Sequence, residues 1–181
     1  MLPGRSLRKM GRRLPCPGID LKYLTPIRCL VYNEKHGISQ VKGASGEMER
    51  SIEIEVRSTE IDELGHVNNA KYLEYLEWGR EDWYDRTGLG AEQLSAKNLG
   101  TVLVHLKINY RREARKGDRL HIVTRPKRKG NTSFVLEQDI VNENGQLVAD
   151  AEVTVVLFDL TKRKSVPLPA EFGPIFEEAN D

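Results

Sequence analysis

Beyond residue 49 the chain sorts its apolar and polar positions by period. Ile52, Ile54 and Val56 alternate with Ser51, Glu53, Glu55 and Arg57, the period-two pattern of a half-buried strand. A polar turn follows from Ser58 to Asn68 and contains Gly65. Over residues 69–86 the period changes. Tyr72, Leu73, Leu76, Gly79 and Trp83 fall at i, i+1, i+4, i+7 and i+11, which predicts a helix with one apolar face. Glu74, Glu77, Glu81 and Asp85 mark its polar side. Asn68 or Asn69 suits the N-cap, and Gly88 suits the position just past the end.

The remainder reads as strands. Val102, Val104, Leu106, Ile108 and Tyr110 alternate with Leu103, His105, Lys107 and Asn109. Gly117-Asp118 makes a turn, Leu120 and Ile122 carry the next strand as far as Pro126, and Lys127-Arg128-Lys129-Gly130-Asn131 reads as a basic hairpin tip. Phe134, Leu136 and Ile140 mark another strand, Asn144-Gly145 is a two-residue hairpin signal, and Leu147, Ala149, Ala151, Val153, Val155 and Leu157 share one face of the last long strand. Short turns make these four strands antiparallel neighbours. A helix of this size is about 27 Å long, and a sheet with one apolar face must cover it. The expected class is therefore α+β: a curved antiparallel sheet of about five strands wrapped around one long helix. Val148, Val156 and Phe158 place further apolar residues on the second face, which predicts at least a dimer.

Composition narrows the class. The 181 residues suit one domain, and 39% hydrophobic with 30% charged residues is a globular balance. No stretch approaches the roughly 18 apolar residues of a membrane span. A net charge of +1 argues against a nucleic-acid binder. The two cysteines, Cys16 and Cys29, build neither a disulfide framework nor a zinc site, and no Cys or His cluster has metal-ligand spacing. The charge is uneven, however. Residues 1–47 hold 9 Lys/Arg against 3 Asp/Glu, whereas residues 48–181 hold 19 against 24. Arg5, Arg8, Arg12 and Arg13, with no acid before Asp20, would suit a targeting peptide or an anion-binding arm. Pro3, Pro15 and Pro17 would interrupt an amphipathic helix there. The expectation is a basic, flexible extension over 1–47, a domain over 48–181 with Met48 as its natural start, and a cytoplasmic location.

The turn before the helix carries the candidate chemistry. It reads Glu60-Ile61-Asp62-Glu63-Leu64-Gly65-His66-Val67-Asn68-Asn69. Asp62 is a carboxylate just ahead of a helix N-terminus, and Gly65 permits a tight turn. A helix start offers unpaired N–H groups and positive potential. A carboxylate beside donors aimed at a developing oxyanion is a basic kit for acyl transfer. Each residue also has a structural alternative. Asp62 could close an Asx-turn, His66 could order the loop, Asn68 and Asn69 could be caps, and Glu74 and Glu77 could be solvated helix residues. No G-x-S-x-G elbow, P-loop or G-x-G-x-x-G is present.

The motif D-x-x-G-H-V-N-N-x-x-Y-L-E from Asp62 to Glu74 resembles the hotdog-fold acyl-CoA thioesterases of the 4-hydroxybenzoyl-CoA thioesterase superfamily, especially the FadM-type long-chain enzymes. Ile108-Asn109-Tyr110-Arg111-Arg112, Val148-Ala149-Asp150-Ala151 and Phe158-Asp159-Leu160 extend the resemblance over roughly residues 50–165. It implies Asp62 as the catalytic carboxylate, polarising N–H groups around Asn68 and Asn69, and His66 beside them. Gly65, Val67, Asn68 and Tyr72 become substrate-binding candidates. Arg111 and Arg112, with Arg115 and Lys127–Lys129, offer donors for CoA phosphates. Plant acyl-carrier-protein thioesterases share H-V-N-N, but their preceding Asn is Leu64 here, which weakens a carrier-protein reading. A subgroup with a helix glutamate makes Glu74 and Glu77 backup candidates. The expected activity is hydrolysis of a medium- or long-chain fatty acyl-CoA by a homodimer or homotetramer. No cofactor, metal, nucleic acid or membrane is expected to take part. An aromatic acyl-CoA is the substrate alternative, and a non-catalytic module binding acyl-CoA or acyl-carrier protein is the competing class.

Overall fold

Helix α1 (Asn69–Thr87) begins under the cap of Asn68 and ends at Gly88, whose φ of 74° is left-handed and whose N–H bonds back to the Tyr84 carbonyl. It lies within a computed structural model that describes residues 49–177; the basic segment 1–47 lies outside the described residues. Strand β1 (Arg50–Glu55) precedes α1, with a 3-10 turn at Ser58–Glu60 between them. After α1 come the short helix α2 (Ala91–Ser95), β2 (Leu99–Tyr110), β3 (Arg119–Lys129), β4 (Ser133–Asn142), β5 (Leu147–Asp159), β6 (Lys164–Ser165), a 3-10 turn at Ala170–Phe172 and α3 (Gly173–Glu177).

The sheet runs β1-β3-β4-β5-β2, every pair antiparallel, with two-residue β6 added to β5. The strands before and after α1 therefore occupy opposite edges. The helix crosses the concave face between them and covers it, as the sequence pattern requires. The five main strands match the expectation, but β2 is not the neighbour of β3: it crosses to the far edge and pairs with β5, and β1 takes the place beside β3. Elements β6, α2 and α3 are additional. Strand β3 continues through Lys127 and Arg128 to Lys129, so the basic residues belong to a strand rather than a loop tip. Pro126 is tolerated because β1 pairs only as far as Thr124 and the ladder slips between Pro126 and Arg128.

The core has two apolar ends. One gathers Val67, Tyr72, Tyr75, Leu76, Leu120, Ile122, Ile140 and Ala149; the other gathers Trp83, Phe134, Leu136, Val153, Leu157, Phe172 and Phe176. Between them lies a polar layer. Gln138 accepts from Arg80 Nη1 at 3.0 Å and donates to Leu76 O and Thr124 Oγ1 at 2.9 Å each. Gly79 makes this closeness possible, because a Cβ there would lie 2.5 Å from Ile122 Cγ2.

Three expectations need correction. Leu73 is not on the buried face: it is 40% exposed, and Tyr75 and Arg80 are buried instead. The buried stripe widens in the i+3 direction, leaving Leu73 on its flank. In β2 a bulge between Leu103 and His105 breaks the alternation, and Val102, Leu103 and Val104 are all exposed on this edge strand. Val148 does not project from the second face. The register skips it between Val141↔Leu147 and Ile140↔Ala149, and it packs into the core.

Candidate active site

Two main-chain bonds shape the loop ahead of α1: Asp62 N donates to His66 O at 2.9 Å, and Gly65 N donates to Asp62 O at 3.1 Å. An antiparallel bridge between Ile61 and Val67 closes its base. Gly65 has a φ of 84°, and a Cβ there would meet no atom within 4 Å. The glycine is thus required by backbone conformation, not by space. Leu64 at the tip is 77% exposed.

Asp62 Oδ1 accepts the Leu64 N–H at 2.9 Å, the Asx-turn foreseen as the structural alternative. That bond orients the carboxylate without using it up. The side chain keeps 29% of its surface exposed and lines a cleft of about 360 Å³ with His66, Val67, Asn69, Tyr72, Tyr110, Arg111, Arg112 and Glu113. The two roles weighed for Asp62 are therefore compatible in one residue.

The helix start faces the same cleft. Asn68 is the cap: its Oδ1 accepts Ala70 N at 2.9 Å, and its carbonyl accepts Lys71 N at 2.9 Å. Asn68 N itself is spent on Glu60 O. Among the described residues, the N–H of Asn69 donates to no other group in this first turn, and Asn69 lines the cleft. It therefore combines an open donor with the positive end of a helix of 19 residues.

The neighbouring side chains frame this pair. His66 lies between two acids, with Nδ1 3.9 Å from Asp62 Oδ1 and Nε2 3.4 Å from Glu113 Oε2. Tyr72 is buried beneath; burial pushes its hydroxyl pKa up, partly offset by the Ala114 N–H that donates to it. Its ring meets that of Tyr110 edge-on at 5.3 Å, and Tyr110 OH donates to Asn69 O at 3.1 Å.

The structure thus gathers Asp62, His66, Val67, Asn69, Tyr72, Arg111 and Arg112 around one cleft, while Gly65 and Asn68 shape it from outside. Glu74 is paired with Lys71 at 2.7 Å, and neither Glu74 nor Glu77 lines it. Tyr110 and Glu113 belong to the cleft although the motif does not single them out: they arrive from the end of β2, next to the arginines. Of the cations, Arg111 is committed to Asp150 at 2.5 Å, which raises its pKa. Arg115 pairs with Glu113, and Lys127 with Glu137 and Glu152. Arg112 makes no ion pair among the described residues and is the freer cation at the rim. Lys129 lies opposite Phe134, which faces Val155, six positions along β5 from the partner of Tyr110. That is about 20 Å along the strand, too far for the same chain's cleft.

A larger groove of about 660 Å³ runs beside β1, past Ile54, Arg57, Trp78 and Lys116. Its buried acid, Glu60, is already bonded to Arg57 N and Tyr75 OH. Of these two grooves, the smaller cleft is the chemical candidate, because its lining brings together the Asp62 carboxylate and Asn69, whose N–H is open among the described residues.

Comparisons with known proteins agree on the fold. The family described as the Thioesterase-like superfamily matches residues 56–176. The long-chain acyl-CoA thioesterase FadM of Escherichia coli is 38% identical over 127 residues, 70% of this chain and 96% of that protein. The chloroplastic acyl-acyl carrier protein thioesterase ATL2 of Arabidopsis thaliana is 29% identical over 95% of this chain and 86% of its own length. The crystal structure of YbaW, a probable thioesterase from Escherichia coli, superposes with a TM-score of 0.60 at 35% identity, covering 74% of this chain and 99% of that one.

Proposed function

The chain belongs to the thioesterase-like superfamily, and from that premise we propose that it hydrolyses a medium- or long-chain fatty acyl-CoA to the free acid and CoA, with Asp62 and the Asn69 N–H as its chemical centre. The observation that carries this reading is their shared cleft: the acid is oriented by Leu64 N, and Asn69, whose N–H has no acceptor among the described residues, lines the same cleft.

In this mechanism the thioester oxygen accepts from Asn69 N–H, so the charge that develops there meets a fixed donor and the helix dipole. Asp62 takes a proton from water as the water oxygen attacks the carbonyl carbon. The tetrahedral intermediate collapses by breaking the C–S bond, and the proton passes to the departing thiolate. The open cleft and the part-exposed carboxylate support water as the nucleophile. His66 holds a place beside Asp62, and Tyr72 and Val67 form the apolar floor under the acyl carbon. Arg112 and, after exchange from Asp150, Arg111 offer donors to CoA phosphates.

The working unit is read as a homodimer. Exposed Val102, Leu103 and Val104 lie on an edge strand whose outer N–H and C=O groups have no ladder partner among the described residues. A second copy would cover them and supply further wall for an acyl chain. The activity is assigned to the domain from Met48 onward, in a cytoplasmic protein.

The likeness to ATL2 favours a second reading, an acyl chain carried by acyl carrier protein. One assay separates the readings: a panel of fatty acyl-CoAs, an aromatic acyl-CoA and an acyl-acyl carrier protein, with released thiol followed by a thiol-reactive dye. Turnover of fatty acyl-CoA above the others supports the proposal. Tight binding of every ester without thiol release would overturn it in favour of a binding module.

A further inference from the structure

Glu60 is the residue through which the acid-bearing loop and the helix are joined. It is buried, and one oxygen of its carboxylate takes two bonds: Oε2 accepts Arg57 N at 2.6 Å and the Tyr75 hydroxyl at 2.8 Å. Its main chain is engaged as well, donating to Arg57 O at 3.1 Å and accepting Asn68 N at 2.9 Å. Tyr75 is wholly buried in α1, six residues after Asn69, and its hydroxyl is kept protonated by burial and by the Glu60 carboxylate. One side chain thus clamps the 3-10 turn to the second turn of the helix. The same residue's carbonyl holds the cap of that helix. Asp62 lies two residues further along and Asn69 one residue past the bonded cap.

A buried carboxylate that lost a partner would be costly, so the loop cannot drift from α1 without breaking this clamp. We propose that Glu60, acting through Tyr75, is a positioning residue that fixes the offset between the Asp62 carboxylate and the Asn69 N–H. The proposal rests on the thioesterase reading above. It separates orientation of the acid from its chemistry: Leu64 N sets the carboxylate's rotamer, while the Glu60–Tyr75 bond sets where the whole turn stands relative to the oxyanion donor.

The test uses the full-length protein with Tyr75→Phe, Glu60→Leu and the double variant, measuring kcat, KM and thermal unfolding. Tyr75→Phe deletes one hydroxyl from an otherwise unchanged ring. Glu60→Leu removes the oxygen that both donors share. Each single variant is expected to lose roughly 10- to 100-fold in kcat, as a misplacement of about 1 Å does. KM should stay within about twofold, since substrate contacts are untouched. The double variant should be no worse than the poorer single, because both act through one bond. Wild-type kcat in both folded variants would overturn the proposal. So would a KM rise at constant kcat, or a loss that disappears at temperatures well below each variant's unfolding midpoint. Full activity in Asp62→Asn would instead overturn the underlying reading, whereas an inactive Asp62→Asn beside fully active Glu60 and Tyr75 variants would overturn the positioning alone.

Discussion

The Gln138 side-chain amide donates to the Leu76 main-chain carbonyl at 2.9 Å, tying the middle of α1 to the central strand β4. The same side chain accepts from the buried guanidinium of Arg80, whose pKa is lowered by its burial. Replacing Gln138 by Leu would strand that cation, so we expect a loss of about 3 kcal/mol in unfolding free energy. Denaturant unfolding measures this. A loss under about 1 kcal/mol would mean that water replaces the amide.

Gly79→Ala sets two effects against each other. Alanine improves helix propensity by about 1 kcal/mol. Its Cβ, however, would stand 2.5 Å from Ile122 Cγ2, and overpacking of this kind costs about 1 to 3 kcal/mol. The clash should win, with a net loss of about 1 kcal/mol. Stabilisation of the variant in the same unfolding experiment would contradict the tight helix–sheet approach.

Gly65→Ala meets no atom, yet its φ of 84° is strained for any Cβ-bearing residue. We expect about 1 kcal/mol of destabilisation and a clear fall in kcat, because the turn it closes carries Asp62. Gly65→Asn should be milder than Gly65→Ala, since Asn tolerates this region better. Equal kcat in all three proteins would show that the turn geometry does not matter to catalysis.

Much of this architecture is legible in the residue pattern. The helix, the five main strands and the β3-β4-β5 meander follow from period and turn signals, whereas the pairing of β2 with β5 and of β1 with β3 does not. What the pattern hides depends on partners far away in the chain. Arg80 reads as a polar helix residue until Gln138, 58 residues later, supplies its acceptor. Leu73 reads as core because i and i+1 cannot be ranked without knowing which side the sheet widens. Val102 to Val104 read as an ordinary alternating strand, since neither the bulge nor the edge position is encoded locally. In the site, the motif marks Asp62, Gly65, His66 and Asn69 as a group. Tyr110 and Glu113 join them only because the end of β2 folds back beside the helix start. Glu60 is invisible as an anchor without its bond to Tyr75.

The exposed edge of β2 gives a prediction about assembly. Val104 is 56% exposed, and Val104→Lys would place a charge in any interface formed there. Light scattering should show the wild-type chain as a dimer or larger and the variant as a smaller species with reduced activity. An unchanged mass and unchanged activity would move the interface elsewhere.

The central claim is that the Asp62 carboxylate, beside the open Asn69 amide, performs thioester hydrolysis. Its most direct test is the rate of CoA release from a long-chain acyl-CoA by Asp62→Asn, which keeps the Leu64 N–H acceptor and the shape but removes the base. We expect kcat to fall by roughly 100-fold or more, with the unfolding midpoint close to that of the wild-type protein. Release of CoA at the wild-type rate by the folded variant would contradict the account.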